Sequence, residues 1–161
     1  MDWNKIKAGN FALGNKQPLK IHENILVFYN KQPVYNPQKI QLDKENKRYL
    51  GKKSINKNDN AIGITGEIKY GKNYEPDKLL PVSIQQFKKN GTIHPTQKPV
   101  ALFEYLIKTY TNEGDLVLDN AAGSGTTGIA CINTKRNYIL IEKDKEYCEI
   151  IKRRILETIP N

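Results

Sequence analysis

Apolar positions are ordered towards the two ends of this 161-residue chain and sparse in its middle. Behind Pro99, a residue suited to a first helical position, Val100, Phe103, Leu106, Ile107 and Tyr110 recur at helical spacing. That pattern predicts a helix ending at Asn112-Glu113-Gly114. Leu116-Val117-Leu118 is a continuous apolar run closed by Asp119, as expected of a strand buried on both faces of a parallel sheet. A turn of small residues follows, and Thr126-Thr127 open a second helix expected to end near Thr134. Asn137 to Ile141 read as the next strand, closed by Glu142, and a last helix carries Tyr147, Ile150, Ile151 and Ile155 on one face. Strand, helix, strand, helix from Asp115 onward is half of an open α/β sheet.

Nearer the N-terminus, Ile25-Leu26-Val27-Phe28-Tyr29 is rich in β-formers and apolar on both faces, which predicts an interior strand. Residues 1–21 hold Trp3, Phe11 and the turn-prone pairs Gly9-Asn10 and Gly14-Asn15, and read as irregular. From Gln32 to about Ile93 the chain is broken by Pro33, Pro37, Pro76 and Pro81 and crowded with Lys, Asn and Gly. Only Ile62, Ile64, Ile68 and Tyr70 hint at short strands there, too few to build a separate core. The expected organisation is therefore a strand-containing segment 1–35, a loop-rich basic segment 36–93, and an α/β segment 94–161.

Charge sharpens that division. The net charge is +9, and residues 94–161 contribute none of it, with nine basic and nine acidic side chains. Residues 36–93 carry twelve Lys/Arg against six acids, and residues 1–35 five against two. A lysine-rich stretch is ordinarily a solvated face; confined to one half beside a ligand cradle, it fits an acidic polymer as partner. Cys131 and Cys148 fall in expected helices without the spacing of a metal knuckle, and read as reduced thiols of a cytosolic protein. No apolar run approaches the ~20 residues of a membrane span. His22 reads as a structural group at a strand edge.

The turn after Asp119 carries the chemistry. Gly123 and Gly125 allow a ligand to lie against the main chain, and the first amides of the following helix point back into the turn. Gly123-Ser124-Gly125-Thr126-Thr127-Gly128 matches G-x-G-x-x-G, with Glu142 nineteen residues after Gly123, which could be an NAD fingerprint. Two features oppose NAD. A dinucleotide fold needs a second mononucleotide half, whereas nineteen residues follow Glu142, and Asp119 stands where a pyrophosphate would be unwelcome. S-adenosyl-L-methionine has a cationic amino-acid end to suit Asp119, a ribose for Glu142, and no phosphate.

His94-Pro95-Thr96-Gln97-Lys98-Pro99, then a helix, then Asp119 to Thr127 and Glu142, resembles the cofactor-binding half of bacterial and phage DNA amino-methyltransferases. The order resembles the β class, in which target recognition precedes the cofactor motifs, and the Glu23 to Tyr29 strand and the Gln32 to Tyr35 exit are also similar to that family. The resemblance implies a partial Rossmann-like methyltransferase sheet with a basic insertion, SAM as cofactor, and a site-specific DNA methyltransferase acting on adenine N6 or cytosine N4, with adenine N6 favoured. It implies that Asp119, Gly123, Ser124 and Gly125 contact the methionine part, Thr96 and Lys98 hold its carboxylate, and Glu142 binds the ribose. Residues 36–93 become the recognition region, with Lys52, Lys53 and Lys57 on duplex DNA. Where the family has an aromatic or Cys, this chain has Ala121 or Ala122. The family's Asp/Asn/Ser-Pro-Pro-aromatic loop has only Tyr35-Asn36-Pro37-Gln38 as a lookalike, and no two prolines are adjacent. No catalytic residue is therefore expected here; the chain reads as a C-terminal portion completed by an upstream half. The alternatives are a non-catalytic DNA-binding remnant or the specificity and cofactor chain of a split enzyme.

Overall fold

The computed structural model describes residues 1–9, 15–41, 78–88 and 97–159. Two compact units form, one from residues 1–38 with 82–161, the other from residues 39–81. In the second unit the described residues form one short antiparallel pair, β3 (Ile40–Gln41) with β4 (Lys78–Leu79). Ile62, Ile64, Ile68 and Tyr70, suggested as strand residues, lie outside the described residues.

The described residues of the first unit form two sheets. In one, β1 (Asp2–Gly9) is central, with β2 (Lys20–Asn24) antiparallel on one side and β5 (Ile84–Gln86) parallel on the other. This corrects the irregular reading of residues 1–21. Asn4 and Lys5 break the apolar pattern of β1, so it carries no strand signal. What fixes it is Trp3, 2% exposed, whose indole N–H donates to Phe87 O at 2.9 Å. The register shifts between Asn4 and Gly9, and there Ile6 takes φ 66° while its N–H donates to Asn4 Oδ1, the local distortion of a bulge.

The strand expected at Ile25–Tyr29 is displaced. β2 ends at Asn24, one further pair joins Ile25 to Met1, and residues 26–29 have no strand opposite them among the described residues. In this run Leu26 is 72% and Phe28 87% exposed, so its apolar composition does not make it interior. Further on, Asn36 ties the chain to residues 109–111 of the same unit. Asn36 N–H donates to Thr109 O at 2.7 Å and its side-chain amide donates to Thr111 O at 3.0 Å.

The second sheet is the βαβ unit expected from the sequence. α1 (Val100–Tyr110) precedes β6 (Leu116–Asp119), α2 (Thr126–Asn133) crosses over, and β7 (Asn137–Leu140) pairs with β6 in parallel. α3 (Lys145–Thr158) follows, its N-terminus capped by the Asp144 carboxylate, which accepts from Glu146 N and Tyr147 N. Ile107, Ala130 and Cys131 form the core, with Val100, Phe103, Val117 and Tyr138 packed on it. β6 is not buried on both faces as expected. Val117 and Tyr138 face the helices, whereas Leu116 and Leu118, each 61% exposed, lie on a face that no described element covers.

Candidate functional site

The C-terminal ends of β6 and β7 build the site. β6 delivers Asp119, whose carboxylate accepts from the hydroxyl of Thr127 and, at 3.1 Å, from Ala121 N–H. The acid thus ties the start of the turn to the first turn of α2. Gly123 and Gly125 sit at φ 53° and 78°, in the left-handed region where a side chain costs strain. The turn is closed by Gly125 N–H on Ala122 O at 2.8 Å, and Ala122 N–H donates to Ile141 O at 3.0 Å.

Glu142, at the end of β7, completes the frame. One carboxylate oxygen accepts from Gly123 N–H at 2.7 Å, and the other from Lys143 N–H and Asp144 N–H at 2.9 and 3.0 Å. Nineteen residues of sequence separation become one charge-assisted contact. Behind the turn, α3 supplies two supports to which the sequence reading gave no part in the site. Ile151 lies under Gly125, and the guanidinium of Arg154 donates to the Ser124 carbonyl. Neither has a signal beyond its place on the inward face of an amphipathic helix.

A cavity of about 740 Å³ opens in front of this frame. Polar groups of Gln97, Lys98, Asp119, Ser124, Thr126 and Glu142 line it together with apolar side chains, among them Phe103 and Tyr110 of α1 and Val117 of β6. The structure therefore brings Lys98, Asp119, Gly123, Ser124 and Glu142 to one cleft, with Gly125 as the residue before α2. Thr96, Lys52, Lys53 and Lys57 lie outside the described residues.

Lys98 has an unforeseen partner. Its ammonium lies 2.6 Å from Glu23 Oε2 on β2 and 5.7 Å from the centroid of the Trp3 ring, joining the first sheet to the cleft wall. Partial burial alone would raise the Glu23 carboxyl; the hydrogen bond and charge of Lys98, then Lys5, overcome this and hold it below its ordinary value. Asn36 of the Tyr35-Asn36-Pro37-Gln38 lookalike is engaged as a clamp on the end of α1.

An acid-ended strand, a glycine turn facing a cleft and a second acid closing on that turn make a candidate ligand cradle. The sequence model of the N6/N4 DNA methylase family matches residues 1–153. The chain belongs to that family. The type II methyltransferase M2.MboI of Moraxella bovis is 45% identical over 78 residues, which are 48% of this chain and 29% of the relative. The DNA adenine methyltransferase YhdJ of Escherichia coli K12 is 48% identical over 62 residues, 38% of this chain and 21% of the relative. The solved structure of M1.HpyAVI with SAM is 44% identical, with a TM-score of 0.44, over 54% of this chain and 42% of that one. The chain thus spans between a fifth and a third of the length of these two curated DNA methylases.

Proposed function

We propose that this chain binds S-adenosyl-L-methionine in the cleft between α1 and the ends of β6 and β7, and serves site-specific methylation of adenine N6 in DNA. The observation that carries this reading is the frame itself: Asp119 and Glu142 face one cleft across a turn built on left-handed glycines. SAM fits the chemistry of that frame. Its ammonium and sulfonium tolerate two carboxylates, whereas a pyrophosphate would be repelled by them. Asp119, Gly123, Ser124 and Gly125 would hold the methionine part, with the α2 N-terminus towards its carboxylate, and Glu142 would take the ribose hydroxyls. Thr96 and Lys98 would flank that carboxylate. An ammonium has three donors and Glu23 takes one, so Lys98 can serve both anions. When bound, SAM supplies the methyl group; the side chains orient it.

DNA is the partner that fits the basic excess of residues 36–93, where Lys52, Lys53 and Lys57 would contact phosphates. Methylating an exocyclic amine requires the flipped base to be stacked and hydrogen-bonded in a pocket. No adjacent prolines occur in these 161 residues, and Asn36 already clamps α1, so we assign that task to a further polypeptide segment, fused or separate. Name likeness supports adenine as the acceptor, YhdJ being a DNA adenine methyltransferase. Labelled methyl transfer to DNA, followed by nucleoside analysis, tests the reading: N6-methyladenine is expected when a segment bearing the Pro-Pro-aromatic loop is supplied, and N4-methylcytosine, or robust turnover by the 161 residues alone, would overturn it.

A further inference from the structure

We propose that Arg154 of α3 is a positioning residue for the cofactor turn, a role that rests on the SAM reading for its functional consequence. The peptide between Ser124 and Gly125 is held at both ends: Arg154 donates to the Ser124 carbonyl, and the Gly125 N–H donates to Ala122 O at 2.8 Å. That peptide immediately precedes α2, so its orientation sets the direction of the first free amides of the helix. Ile151, one turn back on α3, fills the space behind Gly125 at 3.0 Å from where a Cβ would sit. The two α3 residues therefore form a rigid backing, one apolar and one hydrogen-bonding.

Arg154 also places a positive charge behind the turn. Burial pulls its guanidinium pKa down and the Glu157 charge pushes it up, but a guanidinium remains protonated throughout the working range. Ser124 is itself 4% exposed, so its carbonyl partner is shielded from water and the contact is worth more than a surface one. Arg154 meets the turn at Ser124, in the stretch assigned to the methionine part, whereas Glu142, assigned to the ribose, meets it at Gly123. That asymmetry separates positioning from simple stapling of α3 to α2.

The test uses the 161-residue protein with Arg154→Met, which removes donors and charge, and Arg154→Lys, which keeps the charge. Affinities for SAM and for 5′-methylthioadenosine, which lacks the amino-acid end, are measured by calorimetry at a temperature where each variant is folded. Loss of one charged hydrogen bond predicts SAM binding weaker by about 10-fold or more in Arg154→Met, with less than about 2-fold change for 5′-methylthioadenosine and partial recovery in Arg154→Lys. Equal losses for both ligands, or SAM binding unchanged in Arg154→Met, would overturn the inference. Amide NMR shifts of Gly125 and Thr126 without ligand give a second readout, expected to move in both variants. If the unmutated chain bound neither ligand, the cofactor reading would fail; unmoved amide shifts would then overturn the role of Arg154 on their own. Should Arg154→Met not fold, Arg154→Lys carries the same two measurements.

Discussion

Replacing Gly125 with Ala probes the cofactor turn more sharply than removing any side chain. Two separable costs follow from the structure. At φ 78° an L residue pays about 1–2 kcal/mol for the left-handed conformation. The new Cβ would also lie 3.0 Å from Ile151 Cγ1 and 3.3 Å from Cγ2, closer than the roughly 3.5–4.0 Å at which carbon atoms attract. Overpacking of this kind costs typically about 1–3 kcal/mol. Gly114 supplies the reference, because its φ is 86° and a Cβ there meets nothing within 4 Å. Gly114→Ala should therefore show the conformational cost alone, and Gly125→Ala should exceed it by about 1 kcal/mol or more. The assay is urea unfolding followed by the fluorescence of Trp3, the one tryptophan in the chain, with the midpoint shifting at constant slope. Adding Ile151→Ala, which removes both close atoms, should recover the packing part, so the double mutant should be less destabilised than the sum of the singles. Equal costs at the two glycines, with strict additivity to Ile151→Ala, would refute the reasoning that α3 presses on the turn.

Further outcomes are expected. Glu142→Ala removes an acceptor of three backbone amides and the group assigned to the ribose, and should weaken SAM binding by about 10- to 100-fold by calorimetry. Cys131 is fully buried and its thiol is pushed up to about 11, so native protein should leave it unmodified by a thiol reagent that reaches it after unfolding. Because the folded Glu23 carboxyl lies below its ordinary value of 4.5, its contribution is present above that pH and is lost as pH falls through the folded value. Glu23→Gln should accordingly flatten the loss of stability below about pH 4.5 in acid titration followed by circular dichroism. DNA affinity should fall with salt at a log–log slope near −0.9 per phosphate neutralised, and Lys52, Lys53 and Lys57 to Gln together should flatten it. A salt-insensitive affinity would leave the basic segment a solvated surface.

The βαβ unit was legible because its period changes coincide with its punctuation. Pro99 and Gly114 bracket α1, Asp119 closes β6, and Glu142 follows two residues after the end of β7, directly after its apolar run. The first sheet was not legible, for the opposite reason. β1 has one buried anchor, Trp3, among polar neighbours, and its partner β5 lies 82 residues away in register, which local pattern cannot reveal. Ile25 to Tyr29 carried strand chemistry without a strand to pair with, and Leu116 and Leu118 carried core chemistry on a face left open. Composition states what a segment tolerates; only the tertiary neighbours decide what covers it. In the candidate site, the two acids and the glycines were named from sequence and the fold brings them to one cleft, and helical spacing put Ile151 on an apolar face; the contacts of Arg154 and Glu23 run across helix and sheet where no spacing rule reaches.

The most direct measurement of the central claim is a calorimetric titration of the 161-residue protein with SAM and, separately, with NAD. The cleft framed by Asp119, the glycine turn and Glu142 predicts saturable binding of SAM that Glu142→Ala weakens, and no comparable binding of NAD. Preferential binding of NAD, or SAM binding unaffected by Glu142→Ala, would contradict it.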